Sequence, residues 1–468
     1  MSGITGKIKA LWQLTWLALK GGEHEYTSGS INRAIFLLSV PMIAEMVMES
    51  LFAVVDIYFV SKVSVNAVAT VGLTESVLMI IYSIAVGLSI AVTAIVARRV
   101  GEKNYKRAAN AAFQAILLSV IVGVVLGGVG MFFAPDILRL MGGEPELIEE
   151  GVGYTRIMYA GNLSIILLFL INGIFRGAGD PSIAMRSLWL ANGLNIILDP
   201  ILIFGWGPIP AYGVAGAAIA TTAGRSIGVI YQLYHLVNGS SLVKIGWENI
   251  VLRVKTIVEM IKISAGGIGQ FLVETASWIF LVRVMALFGA EALAGYTIAF
   301  RIIVFTLLPS WGLANAAATL VGQNLGANEP GRAETSVWRT ALYNVIFLVA
   351  IAIAFFILAD PILHFFVQDE AVKKIGKAAL QIICLGYIFF AYGMVVGQAF
   401  NGAGDTKTPL FISLFVFWLI QIPLAYTLSV LLNFNSNGVF ISIAICHSLY
   451  AIIAIILFRR GKWKLVKV

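Results

Sequence analysis

Long apolar runs separated by short polar stretches fill this chain. Twelve runs reach the roughly 20 residues that a membrane-crossing helix needs. They fall near 34–60, 70–97, 108–133, 151–173, 183–206, 212–237, 257–288, 293–321, 335–359, 374–398, 408–432 and 437–459. The runs are continuous and do not alternate, which excludes the strands of a transmembrane barrel. The pattern predicts an all-α polytopic membrane protein of twelve spans.

The same pattern occurs twice. With residues 39–180 laid on 264–405 without a gap, Glu49 falls on Glu274 and Gly101 on Gly326. Phe175-Arg176-Gly177-Ala178-Gly179-Asp180 falls on Phe400-Asn401-Gly402-Ala403-Gly404-Asp405. Each copy holds six spans, so both start on the same side of the membrane. They are parallel repeats related by an axis along the membrane normal. The predicted division is a tail over 1–32, a first lobe over 33–238, a linker over 239–256, a second lobe over 257–459 and a basic tail over 460–468. The linker opens on Gly239-Ser240-Ser241.

Composition agrees with this reading. Apolar residues make up 59% and charged residues 12%, against about 25% charged in soluble domains. The net charge of +8 does not mark a nucleic-acid groove, because its lysines and arginines sit in short loops. Arg98, Arg99, Lys103, Lys106 and Arg107 fill the 2–3 loop, and Arg459, Arg460, Lys462, Lys464 and Lys467 the tail. The 3–4 loop is acidic, with Glu144, Glu146, Glu149 and Glu150. The positive-inside rule then puts both termini in the cytoplasm. The first twenty residues do not make a signal peptide, since Gln13 and Thr15 interrupt Leu11–Leu19 and no cleavage site follows. Trp12 and Trp16 beside Lys7, Lys9 and Lys20 predict a helix on the membrane surface.

Carboxylates inside spans are costly, and so mark candidate sites. Asp56 falls in span 1, Asp199 in span 5 and Glu274 in span 7. Asn195 precedes Asp199 by one helical turn, so both face one side of span 5. Counted along the helices, Asp56, Asp199 and Thr221 of span 6 reach one level. This set offers two carboxylates, an amide and a hydroxyl, which suit a small hard cation or a shared proton. Its repeat positions are Leu281, Ile420 and Leu424, so the predicted ion site lies mainly in the first lobe; the alternative is that Asp56 and Asp199 merely face water at the outer ends of their helices. Glu274, with its copy Glu49 and with Glu45 one turn earlier, is a candidate for a cationic substrate or a proton. Arg283 and Arg301 offer Glu274 an ion pair instead. Tyr58, Trp278, Phe280, Met285 and Trp311 are candidates for a flat apolar cation or for packing. Asp180 and Asp405 are candidate helix caps. The glycine-rich turns lack the lysine of a nucleotide loop, so the predicted energy source is an ion gradient and no cofactor is implied. His24, His235, His364 and His447 fall near span edges or loops on this reading, and no catalytic set stands out. An intramembrane enzyme is therefore the remote alternative.

Three features combine with the twelve spans, the repeat and the paired glycine turns. They are Val55-Asp56, Asn195-Ile196-Ile197-Leu198-Asp199-Pro200 and Gly213-Val214-Ala215-Gly216-Ala217-Ala218-Ile219-Ala220-Thr221. Over nearly its whole length the chain resembles the multidrug and toxic compound extrusion (MATE) exporters of the MOP flippase superfamily. The resemblance implies a V-shaped pair of six-helix bundles. It implies a monomeric antiporter of the inner membrane, exporting organic cations and drugs against Na+ or H+. It assigns Asp56, Asn195, Asp199 and Thr221 to the cation site. Glu274 resembles the span-7 glutamate of the NorM-like branch, but no acidic partner stands in span 10. A lipid-linked oligosaccharide flippase of the same superfamily is the alternative function.

Overall fold

The computed structural model describes residues 2–22, 24–239 and 241–468, with side chains from residue 9 onward. Ser240 of the expected linker and the Lys7 side chain lie outside these. Spans 1 to 6 are Ile31–Val60, Val65–Gly101, Tyr105–Phe132, Pro145–Ala178, Pro181–Phe204 and Val214–Asn238. Spans 7 to 9 are Val254–Ala286, Ala290–Gly326 and Pro330–Phe366. Span 10 is the pair Glu370–Cys384 and Tyr387–Ala403, bent by 59° at their join. Spans 11 and 12 are Lys407–Leu431 and Ser436–Arg459. All twelve expected spans are present. Several outrun the expected bounds, as in span 2, because helices continue past their apolar stretch on polar turns that hydropathy does not register.

The repeat is visible in the backbone. Span 4 is interrupted at Gly161 and span 10 around Gly386, its copy. Gly179 and Gly404 end these spans with φ of +89° and +88°, a left-handed conformation that glycine adopts without strain. Asp405 caps span 11, accepting from the Thr408 amide at 3.2 Å and its hydroxyl at 2.6 Å. Asp180 instead accepts from the Ser182 hydroxyl at 2.5 Å. Trp189 Nε1 donates to the Ala44 carbonyl and Trp418 Nε1 to the Val273 carbonyl, both at 3.0 Å. One brace thus joins spans 1 and 5, and its counterpart joins spans 7 and 11.

The lobes meet along a pseudo-twofold seam. A Cβ on Gly101 would fall 2.0 Å from the Gln323 carbonyl oxygen, and one on Gly326 would fall 2.2 Å from that of Arg98. Gly87 packs on Ile268 and Gly312 on the Met42–Ile43 backbone. These small residues let the backbones approach closely, which drives helix association in lipid. The hydrogen bonds across the seam gather at the end holding both termini, called here the basic end. Gln323 Nε2 donates to Gly177 O at 3.0 Å, Thr319 Oγ1 to Arg176 O at 3.1 Å and Arg98 Nη2 to Val466 O at 3.1 Å. Towards the other end, Val47, Leu51, Val54 and Tyr58 continue the line of Ile43 along span 1 and are exposed. The lobes therefore touch at the basic end and part at the opposite end, as a V. The linker lies against span 3, where Asn110 donates to Asn249 O at 2.9 Å and Gln114 to Val251 O at 2.6 Å.

Candidate functional site

Spans 5 and 6 pack closely because span 6 presents small residues. A Cβ on Gly216 would sit 2.4 Å from Leu202 O, and one on Gly224 would sit 2.4 Å from Ala191 O. This approach carries Thr221 onto the Asn195 side of span 5. Asn195 Nδ2 donates to Thr221 Oγ1 at 3.0 Å and to Asp199 Oδ1 at 3.3 Å. The Asp56 and Asp199 carboxyl groups lie within hydrogen-bonding reach of each other. Asp199 is 0% exposed, Asn195 and Thr221 are buried, and Asp56 is half-buried. The four residues expected to meet do meet.

Three oxygens in this cluster, Asp56 Oδ1, Asp199 Oδ2 and Asn195 Oδ1, are buried without a hydrogen-bond partner among the described residues. Buried polar atoms are nearly always paired, so this set is short of a donor or a cation. Two neighbouring carboxyl groups can share one proton, and the oxygen set suits a hard monovalent cation. Among the described residues there is no group of three or more His, Cys, Asp or Glu able to hold a metal ion.

The other acidic candidates separate. Glu49 accepts from Asn192 Nδ2 at 3.1 Å. Glu45 is 1% exposed and pairs with Arg176 Nη2 at 3.2 Å, while Asn172 Nδ2 donates to the same oxygen at 2.9 Å. Gln232 in turn hydrogen-bonds Asn172. Glu274 faces a cavity of about 240 Å³ within the second lobe, with Gln270, Trp278, Trp311, His447 and Tyr450 around it. Ser413 lies beside its carboxyl, with its buried Oγ unpartnered among the described residues. Among the described residues Glu274 forms no ion pair with Arg283 or Arg301. Of the aromatic candidates, Trp278 and Trp311 line this cavity. Tyr58 and Phe280 are exposed, and Met285 is buried in the core.

The MatE family model matches residues 41–201 and 267–427, once in each lobe. The chain belongs to the MATE family. It is similar to a probable multidrug resistance protein NorM of Thermotoga maritima, 26% identical over 444 residues and 93% of each chain. It is also similar to the multidrug export protein MepA of Staphylococcus aureus, 25% identical over 93% of this chain and 95% of the other. Among solved structures it resembles an outward-facing multidrug resistance MATE transporter of the MOP superfamily. There the TM-score is 0.88 and the identity 27%, over 94% of this chain and 98% of the other. The protein is thus a membrane transporter.

Within this MATE fold, two site residues escape the sequence reading. Arg225 is buried one turn beyond Thr221, its guanidinium 5.7 Å from the Phe52 and Tyr82 ring centres. Glu49 and Asp56 lie near its charge, while its Nη1 has no partner among the described residues. The signal was available, since a cation inside an apolar run is as costly as an anion. His447 corrects the placement of the histidines at span edges. It stands inside span 12, its ring 3.9 Å from that of Phe390 at 10°, with Nδ1 3.0 Å from Ile443 O. Ring stacking and a backbone carbonyl accommodate the imidazole among apolar residues, so hydropathy passes over it.

Proposed function

We propose that this MATE transporter exports drug-like organic cations from the cytoplasm across the inner membrane by alternating access. An inward sodium or proton gradient drives export through Asp56, Asn195, Asp199 and Thr221. The observation that carries this reading is a pair of neighbouring carboxyl groups, Asp56 and Asp199, in a cluster with three unpartnered buried oxygens. A cation or proton entering from the open end of the V neutralises the pair. Its arrival and release give the two lobe arrangements different free energies, which a coupled conformational change requires. The basic end, where both termini lie, faces the cytoplasm by its lysines and arginines. Glu274, among tryptophans in the second lobe, is the counter-charge for a flat cationic substrate or a second proton carrier. Trp278 and Trp311 on the wall of its cavity offer aromatic faces to a flat cation, which favours such a substrate over a lipid-linked sugar. The protein acts as a monomer, since one chain contains both lobes and both pockets.

The test is uphill ethidium movement in proteoliposomes under a sodium gradient and a proton gradient, imposed separately. Movement driven by one of them is the expected result and names the ion. No movement under either overturns the reading. Arg225 gives a second expectation. Removing its charge from beside Asp56 in Arg225→Gln tightens binding of the driving cation, by about tenfold for a coupling of about 1.4 kcal/mol. The half-saturating concentration of the driving cation reads this directly.

A further inference from the structure

The first helix, Ser2–Lys20, is held at the basic end by one face only. Leu14, Leu17 and Ala18 pack with Ile35, Leu38 and Met42 of span 1 and Leu313 and Leu320 of span 8. At 100° per residue, the face turned from this contact carries Trp12, Trp16 and Leu19, edged by Lys9, Gln13 and Lys20. Trp12 is 70% exposed and Trp16 64%. Both lysines and Gln13 are also exposed.

The segment that follows fixes the helix in place. Gly21 and Gly22 turn the chain with φ of +68° and +127°. Tyr26 is buried, and its hydroxyl donates to Gly179 O of the first lobe at 3.0 Å. Arg332 of the second lobe donates to the carbonyls of Tyr26, Ser28 and Gly29, at 3.1, 2.7 and 2.9 Å. The helix is therefore bolted to both lobes at the basic end.

We infer that the Trp12–Trp16–Leu19 face of this helix binds the anionic lipid surface at the basic end of the bundle. Indole rings beside lysines are the composition that partitions into the headgroup region, where the rings reach the acyl boundary and the ammonium groups meet lipid phosphates. Lysines beside an anionic leaflet add an attraction that salt screens. Exposed indoles beside lysines are the composition of the lipid interface, and a negatively charged lipid surface matches both halves of the face.

The test uses the full chain with Cys384 and Cys446, both buried, changed to serine. Trp12→Cys labelled with an environment-sensitive dye reports the face, and Ala10→Cys, exposed but turned away from Trp12 and Trp16, is the reference. Vesicles contain phosphatidylcholine alone or with phosphatidylglycerol, each with brominated acyl chains as quencher, and position 10 reports an exposed site off the tryptophan face. The expected result is a blue-shifted emission at position 12, quenched several-fold more by bromolipid than at position 10. The quenching is stronger with phosphatidylglycerol and weakened by Lys9→Glu with Lys20→Glu. Emission at position 12 typical of water in both vesicles overturns the inference. Burial without bromolipid quenching, which means docking on protein, also overturns it. Quenching indifferent to phosphatidylglycerol overturns the anionic requirement and with it the proposal. Gln13→Cys, at the edge of the face, repeats the measurement should the Trp12 variant not assemble.

Discussion

Asp199→Asn abolishes gradient-driven export and leaves the protein folded in the membrane. The two effects separate because asparagine keeps the shape and one acceptor oxygen, so Asn195 Nδ2, now 3.3 Å from Asp199 Oδ1, still has an acceptor. What is lost is the charge that a cation or shared proton neutralises. A charged ligand worth about 3 kcal/mol is about a hundredfold in cation affinity, which empties the site at working concentrations. Asp56→Asn behaves alike, since the Asp56 carboxyl is the other half of the acidic pair. Ethidium export in proteoliposomes, beside thermal unfolding in detergent, measures both quantities. Unimpaired uphill export by both variants would sink the first-lobe site.

Much of this arrangement was legible before any coordinates. Twelve apolar runs and their charged loops suffice for the spans, because lipid forces every backbone polar group into a helix or a closed barrel. The repeat foretold the seam. The matched glycines Gly101 and Gly326 are small because each lies on the other lobe's backbone. Asp56, Asn195, Asp199 and Thr221 were foreseeable because helix rise sets their common depth and the one-turn spacing of Asn195 and Asp199 sets a common face. What did not show was pairing within a level. Glu45 and Glu49 are one turn apart with the same chemistry, yet one binds Arg176 and the other Asn192. Rotation about each helix axis decides which neighbour is met, and hydropathy does not encode it. Arg225 was hidden for a related reason. It sits in an otherwise apolar span, and its role depends on Tyr82 and Phe52 from two other helices.

Glu45→Ala destabilises the protein far more than any change in the cation cluster. The Glu45 carboxylate and the Arg176 guanidinium are both largely shielded from solvent, at 2% and 12% side-chain exposure. Asn172 and Gln232 extend the network, so it ties spans 1, 4 and 6 together. Removing one member of a buried pair strands the other, at a cost of about 3–5 kcal/mol. The apparent melting temperature in detergent falls accordingly. Acid distinguishes the two single variants. A stranded Glu45 carboxylate in Arg176→Ala is relieved by taking up a proton, whereas a stranded Arg176 in Glu45→Ala keeps its charge. Lowering the pH therefore restores stability to Arg176→Ala and not to Glu45→Ala. Replacing both residues by apolar ones of similar size, Glu45→Leu with Arg176→Met, is expected to recover most of the loss, as buried pairs elsewhere do. Export by that double variant then settles what the pair is for. Retained export means that Glu45 and Arg176 only hold the first lobe together. A stable double variant without export means that the carboxylate one turn from Glu49 lies on the ion's path, and that the pair opens during the cycle.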